Sequence, residues 1–270
     1  MKKTIKSISL ILLLSSCSID KLAVKKTSGI IEKGIPSIYS EANLDYVKNS
    51  LPANLKLMEI LYQTEQDPSL VKNMTMGFCG YAFAFYEDMK NERNDFYERG
   101  IKYSNEYIND KKLKEKKNLS DTDFDILFWN MFCKSSYIDS NRDELNALSY
   151  LGDIEETSQK LYSLKPDYFY NSIETIIASI YASKPRIVGG SPKKAKEHFE
   201  KAVSGKGKDF LMNKYFYAKV YATLTMDEEL FDKLINEIET ADLTDPSVSF
   251  FNQIAKLKAN KLKEKKNEIF

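Results

Sequence analysis

The chain has 270 residues, of which 43% are hydrophobic, so it is long enough to bury a substantial core. Its basic and acidic side chains nearly balance, and a formal charge of +1 gives no electrostatic reason to expect nucleic-acid binding. Only 10 glycines argue against glycine-rich phosphate-binding loops, whereas 17 tyrosines and 15 phenylalanines predict aromatic-rich packing.

The N-terminus has the pattern of a lipoprotein signal peptide. Lysines at positions 2, 3 and 6 precede an apolar run at residues 8–14 that is too short to span a bilayer. The run ends in Leu14-Ser-Ser-Cys17, which resembles a bacterial lipobox. We therefore predict a signal peptide over residues 1–16, with diacylglycerol and an N-acyl chain such as palmitate on Cys17. An ordinary secretory signal with an incidental cysteine is the alternative.

A lipid anchor predicts a protein on the periplasmic face of a bacterial membrane, because several acyl chains hold a protein there firmly. Ser18 is not an acidic retention residue, which favours the outer membrane. Residues 17–37 contain few large apolar side chains, so we predict a flexible tether behind the lipid-bearing cysteine. Residues 38–270 are predicted to form a single all-α helical-repeat domain.

The two remaining cysteines, Cys79 and Cys133, both lie in apolar, aromatic stretches. An oxidising compartment permits a disulfide between them. A buried free cysteine behaves as a small hydrophobic residue, so two unpaired thiols remain the alternative. The sequence alone leaves this choice open.

From residue 38 onward, apolar side chains recur at helical spacing, and no long segment has the alternation of a strand. Asp67-Pro68 and Asp245-Pro246 each have the pattern of a helix cap followed by a first-turn proline. Together these signals predict about ten helices joined by short turns. The fold class is therefore an all-α array of helical hairpins, a tetratricopeptide-like solenoid or bundle.

The clearest hairpin lies at residues 177–202. Pro185 ends its first helix, and Gly189 and Gly190 form the turn. Ser191 is predicted to cap the second helix, where Ala195-x3-Phe199-x2-Ala202 forms one apolar stripe. This spacing matches the second helix of a tetratricopeptide repeat.

No catalytic pattern accompanies these helices. The single histidine, His198, cannot form a histidine-pair zinc site and is expected to be a half-buried, hydrogen-bonded or surface residue. No nucleophile elbow or phosphate-binding loop is present in the sequence. We therefore predict a protein that is not an enzyme, with no metal and no cofactor beyond the lipid on Cys17.

Aromatic residues are the other candidates for function. They could line an apolar channel for a ligand or partner, because pockets are largely apolar with a few polar tips. The alternative is that they form the hairpin core. The candidates are Tyr81, Phe85, Trp129, Tyr217 and Tyr221.

An ordered set of segments extends over most of the chain. It includes Tyr81-Ala-Phe-Ala-Phe-Tyr-Glu87, Ala195-Lys-Glu-His-Phe-Glu-Lys-Ala202 and Tyr217-Ala-Lys-Val-Tyr-Ala222, with further segments at residues 51–59, 97–100, 125–129, 184–190 and 252–259. Behind a lipobox, this set resembles the TatT family, the T components associated with TRAP transporters.

The resemblance implies a periplasmic lipoprotein of tetratricopeptide-like hairpins that associates as a homotrimer with a solute-binding P component. It also implies a ligand-sized pore or cleft, for an apolar or carboxylate ligand. The predicted function is thus an accessory or scaffold subunit of a TRAP-type transport system. The alternative is a transport-independent scaffold lipoprotein that serves envelope assembly by docking peptides in a groove.

Overall fold

The computed structural model describes residues 2–270, with side chains from residue 19 onward, and this part of the chain is all-helical without a strand. The predicted all-α array is confirmed. The helices are α1 (Lys2–Tyr39), α2 (Leu44–Thr64), α3 (Pro68–Phe85), α4 (Lys90–Asp110), α5 (Asp121–Ser140), α6 (Leu145–Leu148), α7 (Leu151–Leu164), α8 (Tyr168–Ser183), α9 (Pro192–Ala202), α10 (Leu211–Phe216), α11 (Thr223–Thr225), α12 (Glu228–Thr240), α13 (Ser249–Glu264) and α14 (Lys266–Ile269). Short 3-10 turns lie at Arg186–Val188, Gly205–Gly207 and Pro246–Val248, and a π-helical segment, Tyr217–Ala222, joins α10 to α11.

The chain divides into two compact units. The first unit comprises Met1–Ile35 and Lys48–Asn130, and the second comprises Pro36–Val47 and Met131–Phe270. The boundary between Ile35 and Pro36 falls inside α1. Pro36 has no backbone N–H, so the helix lacks one hydrogen bond at this point. Each unit is described separately below.

In the first unit, α1 takes the place of the expected flexible tether. Ser28 is buried, and its hydroxyl donates to the carboxylate of Asp67 at 2.8 Å. Lys72 of α3 pairs with Glu32 of α1. The tether was expected because the stretch is short of large apolar residues, but Val24 and Ile35 are buried, and the polar contacts of Ser28 and Glu32 add to this packing. Residues 19–35 therefore form a packed helix.

Helix α3 begins as the sequence predicts, because the Asp67 carboxylate accepts from the backbone N–H of Ser69 at 3.0 Å and Pro68 occupies the first position. Helices α3 and α4 pack against each other over their length. Asn130 joins α5 to α4, donating to the hydroxyl of Ser104 at 2.7 Å. The first unit is thus a set of helices held by both apolar and polar contacts.

A buried carboxylate links α2 to α4 in this unit. Glu59 accepts from Arg99 at 3.0 Å, from Tyr103 at 2.9 Å and from Lys56 at 3.0 Å. Burial alone would raise the pKa of Glu59, but the hydrogen bonds and positive charges outweigh it and lower the pKa. Glu59 is therefore held in its charged form.

In the second unit, α8 and α9 form the predicted hairpin. Ser191 caps α9, accepting from the N–H of Lys194 at 3.3 Å. Gly189 adopts φ +97°, and a Cβ on Gly190 would lie 1.8 Å from the carbonyl oxygen of Lys184. Both glycines are therefore required by the turn, one by its backbone conformation and the other by a close approach.

Two expectations concern the cysteines of the chain: a disulfide at Cys79 and Cys133, and lipidation at Cys17. Cys79 and Cys133 are each disulfide-bonded in the structure, so neither is a free thiol. The side chain of Cys17 lies outside the described residues, so its lipidation stays a prediction. Among the described residues, no helix has the length and apolar character needed to cross a membrane.

Candidate functional site

Two of the five aromatic candidates, Tyr81 and Phe85, lie together in the first unit. Their rings are 4.9 Å apart, and Tyr81 also packs against Tyr86 and Phe96 at 5.0 and 5.3 Å. The hydroxyl of buried Tyr81 donates to the backbone carbonyl of Lys48 at 2.8 Å. Burial raises the pKa of Tyr81 to about 12. Its ring and hydroxyl therefore both serve the packing of this unit.

Trp129 lies in the same unit on α5. It is buried, and its ring packs edge-on against Phe128 at 5.1 Å. Edge-to-face contacts of this kind are typical of aromatic cores. The structure therefore gives Trp129 a packing role.

The remaining candidates, Tyr217 and Tyr221, lie on the π-helical segment of the second unit. Phe199 from α9 stacks on Tyr217 with ring centres 4.9 Å apart and an angle of 8° between the planes. Tyr221 contacts the same phenylalanine edge-on at 6.3 Å. Burial raises the pKa of Tyr217. Both tyrosines therefore pack against α9 through Phe199.

A different part of the second unit forms an open pocket of about 440 Å³. This volume is within the range of small-ligand sites, which is roughly 300–1,000 Å³. Its lining combines cationic, anionic and aromatic side chains. The lining residues are Lys165, Asp167, Tyr168, Phe169, Tyr170 and Lys206.

The pocket wall is a left-handed turn at the start of α8. Phe169, Tyr170 and Asn171 have φ values of 43°, 56° and 62°, although none of them is glycine. Left-handed backbone costs about 1–2 kcal/mol per residue for L-amino acids. Three such residues in succession persist only where the surrounding contacts fix them.

Two asparagines supply those contacts. Asn171 donates to the carbonyls of Lys201 and Ser204, at 3.1 and 2.8 Å, at the end of α9. Asn213 donates to the carbonyl of Tyr170 at 2.7 Å. The turn thereby satisfies carbonyl groups that the end of a helix leaves without partners.

Behind the turn lies an aromatic cluster that the sequence analysis did not predict. The ring of Phe169 contacts those of Tyr39, Phe210 and Phe251 at 6.3, 5.6 and 5.3 Å. Tyr170 stacks on Phe210 at 5.1 Å with 16° between the planes. The left-handed turn aims two successive aromatic rings into this cluster, and their remaining surfaces line the pocket.

The charged rim of the pocket is exposed. Lys206 pairs with Asp167 at 2.5 Å, and this hydrogen bond and charge lower the pKa of Asp167. Lys165 provides a second ammonium group on the lining. Lysine beside aromatic faces is suited to an anionic ligand with an apolar body, since the ammonium group binds the anion and the rings cover the rest.

The single histidine lies elsewhere in the second unit, half-buried and hydrogen-bonded as expected. Its Nδ1 pairs with the buried carboxylate of Glu174, which also accepts from the hydroxyl of Tyr162 at 2.9 Å. His198 stacks on Tyr181 with ring centres 5.6 Å apart. Sequence reasoning missed Glu174, although a lone acid within the apolar run at residues 173–178 was a usable signal. No cluster of three or more metal-ligating side chains occurs in the described part of the chain.

This chain is a helical-hairpin protein. Its helices pair, its α8–α9 hairpin is capped and has a glycine turn, and aromatic side chains line its pocket. Within that class the chain belongs to the TAtT family, TRAP transporter T-component, whose family model matches residues 40–270. It is thus an accessory component of a TRAP transport system. No curated protein matches the chain.

Proposed function

We propose that this protein is a lipid-anchored periplasmic subunit that binds the solute-binding protein of a TRAP-type transport system. The observation that carries the proposal is the family match over residues 40–270. The lipobox at Cys17 supports attachment to the membrane. Association as a homotrimer belongs to the same proposal and is measured by light scattering of the purified protein.

The surface proposed for the solute-binding protein is the tip of the α8–α9 hairpin. Ile187 is 95% exposed and Val188 is 57% exposed, and the two directly follow Arg186 in the chain. Backbone hydrogen bonds hold the tip, from Val188 to the Pro185 carbonyl at 3.0 Å and from Gly189 to the Arg186 carbonyl at 3.1 Å. A rigid loop that presents an apolar side chain can dock with little loss of conformational entropy.

Capture from solubilised membranes tests this surface. The wild-type chain should co-purify with a TRAP solute-binding protein, and Ile187→Asp should abolish or strongly reduce this without unfolding the chain, because Ile187 packs on almost nothing. Leu145→Asp is the matched control, since Leu145 is 84% exposed on α6. Equal capture by both variants would refute the tip as the docking surface. Wild-type capture of an envelope-assembly factor in place of the receptor would favour the transport-independent scaffold.

The ligand proposed for this subunit is an organic carboxylate with an apolar body, held in the pocket beside Phe169 and Tyr170. The support is the combination of Lys165 and Lys206 with aromatic faces in a pocket of about 440 Å³. An exposed ion pair contributes up to about 1 kcal/mol. Each lysine should therefore change affinity by no more than about fivefold.

Titration calorimetry with phenylacetate and longer aryl carboxylates tests the pocket. Lys206→Gln and Lys165→Gln should each weaken binding by a few-fold, and the two together by more. Lys208→Gln is the matched control, because Lys208 is exposed two residues further along and does not line the pocket. Binding that is unchanged in the double variant would refute the pocket as the ligand site.

A further inference from the structure

The described part of α1 has two different faces. The inner face carries Val24, Ser28 and Ile35, all of them buried in the first unit or at its boundary. The outer face carries three large apolar side chains and two exposed lysines and has no acid. Its members are Ile19 (61% exposed), Leu22 (56%), Lys26, Ile30 (70%) and Lys33.

These five positions follow helical spacing, so they form one stripe and are not scattered over the surface. Single exposed apolar residues are normal on soluble proteins, but an aligned row of them is not. Exposed apolar side chains interleaved with lysine are typical of helices that lie in a membrane interface. The lysine stems can cover apolar surface while their ammonium groups reach the lipid headgroups.

The stripe begins close to the predicted lipid attachment. A helix rises about 1.5 Å per residue, so Leu22 is only about 7.5 Å along the axis from Cys17, and Ile30 is about 20 Å away. The helix is also fixed to its own unit. Lys21 pairs with Glu65 at 3.3 Å, in addition to the contacts of Ser28 and Glu32 with α3.

We infer that the outer face of α1 lies flat on the lipid surface, so that the anchor and the helix together orient the first unit on the membrane. The inference rests on the lipidation in the proposed function, because the acyl chains bring the stripe to the bilayer. Continuity with the anchor and the basic, acid-free stripe single out a lipid surface as the occupant. Lys26 and Lys33 would contact anionic headgroups.

The test uses the full acylated protein in vesicles of phosphatidylethanolamine and phosphatidylglycerol, with and without brominated acyl chains that quench tryptophan. Leu22→Trp and Ile30→Trp are compared with Met89→Trp, an exposed apolar position in the same unit. The native Trp129 is present in every variant and is buried, so its signal is subtracted as background. Both stripe tryptophans should lose fluorescence in brominated vesicles, and the control should lose none beyond the background.

Quenching of the tryptophan at position 22 without quenching at position 30 would mean that α1 stands upright, and it would overturn the inference. So would an absence of quenching at both positions in acylated protein. Mass analysis of the Cys17 peptide keeps this failure separate from failure of the proposed function. A peptide without acyl chains refutes the lipid anchor, whereas an acylated protein without quenching refutes only the orientation.

Discussion

Asn213 fixes the left-handed turn at the pocket, and its removal should have a large effect. Its amide nitrogen donates to the carbonyls of Tyr170 and Ala202 at 2.7 and 2.9 Å, and its oxygen accepts from the hydroxyl of Thr175 at 2.8 Å. Asn213 is 1% exposed, so bulk water does not replace these partners. Asn213→Ala removes all of these hydrogen bonds at about 1 kcal/mol each. We therefore expect a destabilisation of about 3 kcal/mol.

Differential scanning calorimetry measures this change and separates the transitions of two units if they unfold independently. A loss of about 3 kcal/mol lowers the Tm of a unit of this size by roughly 6–12 °C. Asn213→Asp should also destabilise, because it keeps the acceptor for Thr175 but loses both donors. The control is Asn236→Ala on the exposed face of α12, which should stay within about 0.5 kcal/mol of wild type. An Asn213→Ala transition no lower than that of the control would refute the reasoning.

A methyl group at Gly207 would lie 1.9 Å from the Ala202 carbonyl oxygen. Gly207→Ala should therefore lower the free energy of unfolding by about 1–3 kcal/mol. At Gly152 an added methyl group meets nothing within 4 Å, so Gly152→Ala should stabilise α7 by up to about 1 kcal/mol. Melting temperatures that shift in the same direction for both variants would contradict this. Burial opposes ionisation of Asp139, but Lys219 and Arg142 lower its pKa overall. The ionised Asp139 carboxylate should stabilise the fold fully above about pH 4, and this stabilisation should be lost as the pH falls through the pKa of the folded state. Asp139→Asn should therefore make Tm fall less steeply with decreasing pH. An unchanged fall of Tm at acid pH would count against the ion pairs. The two disulfide-bonded cysteines should give no reaction with a thiol reagent in the unreduced, denatured protein. After reduction, two thiols per chain should react. Reactive thiols at these positions before reduction would contradict the disulfide.

Local features could be predicted from the sequence because neighbouring residues determine them. The caps at Asp67 and Ser191 and the turn at Gly189 depend on side chains within a few positions, and all are present as expected. The helical periodicity and the apolar stripe of α9 likewise needed no tertiary information, since Phe199 and its two alanine neighbours are fully buried.

Features that depend on distant partners could not be predicted. The order of α1 comes from contacts of Ser28 and Glu32 with residues about forty positions away. The left-handed turn at residues 169–171 contains no glycine, and its stabilising partner Asn213 is 43 positions from Tyr170. The pocket could therefore not be predicted, because its wall forms only when residues 169–171 and Asn213 come together in the fold.

Direct binding between this chain and the solute-binding protein of a TRAP system from the same genome tests the central claim most directly. With both proteins purified and the chain immobilised through its lipid on a supported bilayer, surface plasmon resonance measures the interaction. The account predicts saturable, reversible binding that Ile187→Asp weakens and Leu145→Asp leaves unchanged. An absence of binding by the folded, acylated chain would contradict its proposed role as the receptor-binding subunit.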